Sequence, residues 1–136
     1  MDRLRRLGVL MPVFSLQRDD DLGIGDTQAL KQAVDWAAEN KVGFLQLLPI
    51  NETGSDNSPY NAISSIALDP VLIAMELIPG IDAAAITAAD QKCQHAELVD
   101  YASAGAAKWK LLELGYQAFC QSGGDDRAFA NFRKAE

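Results

Sequence analysis

The chain has 136 residues, of which 49% are hydrophobic and 23% charged, and twelve basic against nineteen acidic side chains give a formal net charge of -7. This length suits one domain with its own core, and the composition is that of a folded protein rather than a disordered one. The negative charge argues against nucleic acid and anionic membrane surfaces as partners, because both repel acidic proteins. We also predict no membrane span, since the longest apolar runs stop far short of about 20 residues.

The amino-terminal part predicts a strand, a helix and a second strand. Residues 7–14 form an apolar run of strand length that should end near Pro12, because proline cannot donate to an interior ladder. Asp26 is a good N-cap for a helix over about 27–40. Its apolar stripe consists of Leu30, Ala33, Val34, Ala37 and Ala38. Residues 43–49 predict the second strand.

A βαβ unit of this kind normally has parallel strands. The segments that follow the two strands, residues 15–26 and 51–70, should therefore lie near each other at one edge of the sheet. That edge is where α/β proteins build their sites.

The remainder of the chain is predicted to be mainly helical. Residues 71–80 suit either a strand or a short helix, and the alanine-rich residues 81–93 indicate a partly helical segment. Over 105–120 an amphipathic helix is predicted, with an apolar stripe of Trp109, Leu112, Tyr116 and Phe119, and another helix should follow the break at 122–124. We thus expect residues 1–80 to hold the βαβ unit and a long loop, and residues 81–136 to be mainly helical.

Outside the long loop, the sequence gives only weak indications of chemistry. His95 is the only histidine, so a surface helix position is favoured over a catalytic role. Four aspartates cluster near two glycines, and a solvated turn with a helix cap is favoured over calcium because the spacing is not that of an EF-hand; they are Asp19, Asp20, Asp21 and Asp26. "GIGD" falls short of a dinucleotide fingerprint, which leaves a nucleotide-binding domain as a minor alternative. We predict no metal site and no cofactor.

The amino-terminal run is short and interrupted by Pro12, which argues against a signal peptide. Cys93 and Cys120 lack CxxC spacing, so free thiols and a cytoplasmic location are expected.

The long loop, "NETGSDNSPYNAISSIALDP", is the most informative segment. It combines many small hydroxyl and amide side chains with one aromatic, Tyr60, which follows Pro59. Neutral polyols offer hydroxyls for polar contacts and C–H faces that lie on an aromatic ring, so the loop suits a sugar ligand. The alternative is a polar surface loop whose Tyr60 packs back on the core.

Three blocks, "GVLMPVFSL…LGIGD", "FLQLLPINETGSDNSPYNAISSIALDPVLI" and "LVDYASAGAAKWKLL", together resemble the amino-terminal part of the 4-alpha-glucanotransferases, also called amylomaltases or disproportionating enzymes. The resemblance runs in order from about residue 7 to residue 120. It implies the amino-terminal portion of a (β/α)8 TIM barrel with a helical insertion. It also implies transfer of α-1,4-glucan segments between maltodextrins by a retaining double-displacement mechanism without a cofactor.

By this resemblance, Tyr60 matches the aromatic of the family's donor-side sugar site, and Ser58 and Asn61 flank it. Ser55 stands where many members carry an aromatic of a second glucan site. The family's catalytic carboxylates belong to later barrel strands, so no catalytic residue is assigned here. Because such a barrel needs about 250 residues, we expect an amino-terminal fragment that is inactive alone. The alternative is a noncatalytic glucan-binding or interaction module.

Overall fold

The computed structural model describes residues 7–19, 21–91, 93, 98–123 and 127–135, and it contains the predicted strand–helix–strand unit. Strand β1 (Gly8–Met11) is followed by helix α1 (Thr27–Glu39) and strand β2 (Phe44–Leu47). The strands pair in parallel, with Gly8 opposite Phe44 and Met11 opposite Leu47. The segments that follow β1 and β2 therefore leave the sheet at the same edge.

Strand β1 is shorter than the predicted 7–14. It ends at Met11, and Val13–Ser15 form a 3₁₀ turn directly after Pro12. The chain then packs against itself, because Gly25 N donates to Phe14 O at 3.0 Å. A Cβ on Gly25 would lie 2.1 Å from Val13 O, so only glycine permits this approach. The second glycine of "GIGD" is explained by packing and not by phosphate binding.

Helix α1 begins as predicted at Asp26, whose Oδ1 accepts hydrogen bonds from Gln28 N and Ala29 N, both at 3.0 Å. Its buried face is rotated from the predicted stripe. Ala29 and Ala37 are buried, whereas Val34 and Ala38 are exposed. The helix packs against β2 and the Val13–Ser15 turn, and its two buried residues are both alanines.

The segment after the long loop resolves the choice left open for residues 71–80. It contains two 3₁₀ turns, Pro70–Leu72 and Met75–Leu77, so the short-helix alternative is closer than the strand. Three helices complete the described chain: α2 (Ala83–Asp90), α3 (Tyr101–Gln121) and α4 (Arg127–Ala135). Both cysteines are free, as expected.

Helix α3 is present, but the predicted aromatic stripe is not its buried face. Trp109 and Tyr116 are 53% and 67% exposed, while Leu112 and Phe119 are half-buried. The buried positions are Ala104, Lys108, Leu111 and Gly115. At Gly115 a Cβ would lie 2.9 Å from Ile78 Cγ2. Because glycine has no Cβ, the segment that contains Ile78 can approach α3 closely.

The core lies between the segment that follows β1 and the helical part. Leu22, Met75 and Leu111 form its centre, each nearly inaccessible to solvent, and partly buried residues of α2 and the 78–81 segment surround them. Within the described part of the chain, no helix has the length and apolar character that a membrane crossing requires.

Candidate functional site

The two segments that follow the parallel strands meet, as predicted. One small cavity is lined by Phe14 and Ile24 from the first segment and by Asn51, Thr53 and other residues from the second. Tyr101, at the start of α3, closes the same cavity and packs edge-on against Phe14 with ring centroids 5.8 Å apart. The carboxyl edge of the sheet is therefore a shared rim to which residues 51–70 are attached.

Residues 51–70 form an ordered arm with two limbs that run antiparallel. Isolated bridges join Asn51 to Leu68 and Thr53 to Ala62. Backbone hydrogen bonds lie between them, including Ile63 N to Glu52 O at 2.8 Å and Glu52 N to Ala67 O at 3.2 Å. The arm thus carries its own ladder, although it is too short and irregular to form named strands.

The arm ends in a tight turn over residues 54–61, which we call the tip turn. Gly54 N donates to Asn61 O at 3.3 Å, and Asn57 N donates to Gly54 O at 3.1 Å. Asn57 adopts a positive φ of 52°, a conformation that asparagine tolerates better than most residues. Asn61 N closes the turn on Ser58 O at 3.0 Å.

The tip turn presents Tyr60 to solvent. Its side chain is 75% exposed, so the alternative in which Tyr60 packs back on the core is wrong. Ser58 lies beside it and its Oγ accepts a long hydrogen bond from Tyr60 N at 3.4 Å. Asn61 is exposed, and its Nδ2 donates to Asp56 Oδ2 at 2.9 Å. The three sequence-predicted site residues are brought together at one end of the arm.

Two acidic residues of the arm, Asp56 and Asp69, are engaged in local structure. Asp69 caps the Pro70–Leu72 turn by accepting a hydrogen bond from Val71 N at 3.0 Å. Burial raises the pKa of Asp69, and the nearby Glu52 carboxylate adds to the rise, against the Val71 hydrogen bond. The two oxygens of Asp56 accept hydrogen bonds within the tip turn. Neither carboxylate is arranged as a catalytic group.

A second polar group, which we call the ion-pair cluster, was not predicted. Residues 21–26 were expected to form a solvated turn, yet all six are buried. Asp21 accepts hydrogen bonds from Arg18 N at 2.7 Å and Gly23 N at 2.8 Å. Asp21 and Asp26 thus have hydrogen-bond partners although they are buried. Only the cap role of Asp26 was predicted correctly.

The ion-pair cluster consists of Arg18, Asp21, Asp26, Glu76 and Lys108. Arg18 Nη2 donates to Asp26 Oδ2 at 2.9 Å and to Glu76 Oε1 at 2.6 Å. Lys108 Nζ lies 3.7 Å from Asp26 Oδ2 and donates to Ile73 O at 3.3 Å. Burial lowers the pKa of Lys108, and the charges of Asp26 and Asp21 oppose that change.

Lys108 could have been recognised from its position. It stands between Ala104 and Leu111 on the buried face of α3, where a lysine needs an acidic partner. The calcium alternative finds no support among the described aspartates, since Asp21 and Asp26 are hydrogen-bonded to nitrogen donors. His95 and Asp20 lie outside the described residues.

Comparisons with known proteins show which family this chain resembles. A family model described as 4-alpha-glucanotransferase matches residues 11–136. A 4-alpha-glucanotransferase of Chlamydia pneumoniae is 34% identical over 135 residues, which are 95% of this chain and 26% of the relative. One from Thermus thermophilus is 28% identical, covering 100% of this chain and 27% of the relative. An amylomaltase from Streptococcus agalactiae, solved in complex with acarbose, superimposes with a TM-score of 0.74 at 28% identity, over 96% of this chain and 26% of that chain.

The mixed α/β fold and these comparisons place the chain in a family of carbohydrate-active enzymes. The chain belongs to the 4-alpha-glucanotransferase family. It spans about a quarter of the length of the relatives it matches.

Proposed function

We propose that this chain forms the amino-terminal quarter of a 4-alpha-glucanotransferase that transfers α-1,4-glucan segments between maltodextrins. In this proposal residues 1–80 supply the first βαβ unit of a (β/α)8 barrel and its substrate loop. Residues 81–136 are a mainly helical insertion. The protein works in the cytoplasm without a cofactor.

The observation that carries the proposal is the presentation of Tyr60. Its ring is 75% exposed, yet it stands on a turn closed by several hydrogen bonds at the end of a laddered arm. An exposed aromatic ring on an ordered support loses little conformational freedom when a ligand binds, and its face accepts the C–H groups of a sugar ring. In this proposal Ser58 and Asn61, which flank Tyr60 in the tip turn, contact hydroxyls of the same sugar.

The chemistry falls outside this segment. A retaining glycosidase reaction requires two carboxyl groups about 5–5.5 Å apart on either side of the scissile bond. Asp69 is engaged as the cap of the Pro70–Leu72 turn, and Asp56 is engaged within the tip turn. We therefore assign substrate binding to this chain, with Tyr60, Ser58 and Asn61 as its contacts, and assign the nucleophile and the acid–base catalyst to the rest of the enzyme.

The test is a disproportionation assay of the complete protein with maltotriose. Transfer predicts glucose together with maltooligosaccharides longer than the substrate, with the new bonds in the α configuration by NMR. Binding of maltooligosaccharide without any product would support the noncatalytic glucan-binding alternative. If the protein neither forms products nor binds maltooligosaccharide, the transferase proposal and the glucan-binding alternative are both overturned.

A further inference from the structure

The Asp56 carboxylate accepts hydrogen bonds from two later residues of the tip turn. Its Oδ1 accepts a hydrogen bond from Ser58 N at 3.2 Å, and its Oδ2 accepts one from Asn61 Nδ2 at 2.9 Å. One side chain thus fixes the residues on both sides of Tyr60. The next residue, Asn57, adopts a positive φ of 52°, and both Asp56 oxygens bond to residues that follow it.

Ionisation suits Asp56 to this contact. The hydrogen bond from the Asn61 side chain, and next the one from Ser58 N, hold the pKa of Asp56 below its ordinary value. The side chain is therefore a carboxylate from mildly acidic pH upward, and a carboxylate only accepts hydrogen bonds. Two acceptor oxygens match the two donors that the turn directs at them.

We propose that Asp56 is a positioning residue that holds the tip turn in the shape that presents Tyr60 and Asn61 to the glucan. The inference rests on the proposed function and deepens it. Asp56 acts through its neighbours, because both of its oxygens are directed into the turn. Without these hydrogen bonds, the Asn61 amide loses its fixed orientation and the turn around Tyr60 samples more conformations, so part of the binding free energy is spent on reordering it.

Substitutions at Asp56 separate its two contacts. Asp56→Ala removes both acceptors. Asp56→Asn keeps one acceptor for Ser58 N, but it directs an NH₂ group at Asn61 Nδ2, and the contact returns only if the Asn61 amide turns over. Asp35→Ala is the matched control, since Asp35 is an exposed aspartate on α1, outside the arm.

The experiment measures two quantities on the complete protein. The first is amide hydrogen exchange of residues 54–61, which we expect to accelerate about tenfold in Asp56→Ala, because a turn amide loses its acceptor. The second is steady-state transfer from maltooligosaccharide. There kcat/KM should fall about tenfold in Asp56→Ala, mainly through KM, and about threefold in Asp56→Asn.

Asp35→Ala should match wild type in both measurements, and melting temperatures should agree within about 2 °C, because the substituted side chains are on the surface. Unchanged exchange in Asp56→Ala, or unimpaired transfer by that variant beside an active wild type, overturns the positioning role alone. A wild type with neither transfer nor glucan binding overturns the proposed function and, with it, the role in presenting Tyr60 to glucan.

Discussion

The ion-pair cluster and the tip turn are both polar, but they use their polar groups in opposite ways. In the cluster, Asp26 is 1% exposed and Lys108 is 0% exposed, and their charges face each other and the backbone. In the tip turn, the side chain with the largest surface, Tyr60, faces solvent. Within this chain, the charged residues of the cluster are paired in the interior, and the neutral residues of the tip turn are the ones that we propose as glucan contacts.

The two regions also differ in reach. Arg18 is joined to Glu76, 58 residues away in the chain, and Lys108 reaches Ile73 from α3. The side-chain bonds of the tip turn join residues at most five apart. Damage to the cluster should therefore spread through the fold, whereas damage to the tip turn should remain local.

The largest effect is expected from Asp26→Ala. The substitution removes the cap of α1 and takes away the carboxylate that lies 3.7 Å from the buried Lys108 Nζ. A buried charge that loses its partner typically costs about 3–5 kcal/mol of unfolding free energy. Urea unfolding of the complete protein checks this, with Asp35→Ala as the exposed control expected to stay within about 0.5 kcal/mol of wild type. If Asp26→Ala lowered the free energy of unfolding by less than about 0.5 kcal/mol, the cluster would not stabilise the fold.

Lys108→Met should have a smaller effect. Asp26 keeps Arg18 and two backbone N–H groups as partners, and methionine fills much of the space of the lysine stem. We expect a loss of about 1–2 kcal/mol in unfolding free energy from the missing contacts of Nζ. The neighbouring Lys110→Met, exposed on the same helix, is the matched control, and an equal loss in both variants would contradict a special role for Lys108.

The smallest effect concerns Asp69. Its pKa is raised in the folded protein, so between the unfolded value near 3.8 and the folded value the native state binds more protons than the unfolded one. Stability should thus fall as pH rises through that window. Asp69→Asn keeps the acceptor for Val71 N and should remove this part of the pH dependence. At neutral pH, Asp69→Asn should raise the free energy of unfolding by about 0.5 kcal/mol or less, because solvent screens the half-exposed carboxylate. Identical pH dependences of the unfolding free energy in wild type and Asp69→Asn would contradict this prediction.

The sequence pattern predicted the elements better than their buried faces. The βαβ unit followed from apolar runs, the Asp26 cap and the proline stops, which are local signals. Local signals did not predict the burial of residues 21–26. That burial involves ion pairs with Arg18 and Lys108, and Lys108 lies on a helix about eighty residues later in the chain. The buried face of α3 follows from the fit of Gly115 against Ile78 rather than from its aromatic residues.

The sequence could nominate the residues of the candidate site, which stay a prediction, but it could not show the hydrogen bonds that hold the turn. Tyr60, Ser58 and Asn61 stand in a segment whose composition and family resemblance both indicate sugar binding. The role that we propose for Asp56 rests on its hydrogen bond from the Asn61 amide, five residues later, whose direction no residue pattern reports.

The most direct measurement compares Tyr60→Ala with Tyr116→Ala in the complete protein, using maltodextrin transfer and thermal unfolding together. Both tyrosines are largely exposed, at 75% and 67%, but only Tyr60 stands on the arm. We expect Tyr60→Ala to lower kcat/KM about tenfold, the value of one lost aromatic contact, with an unchanged melting temperature. Tyr116→Ala should transfer like wild type. Equal transfer by wild type and Tyr60→Ala would contradict the assignment of the tip turn to glucan binding.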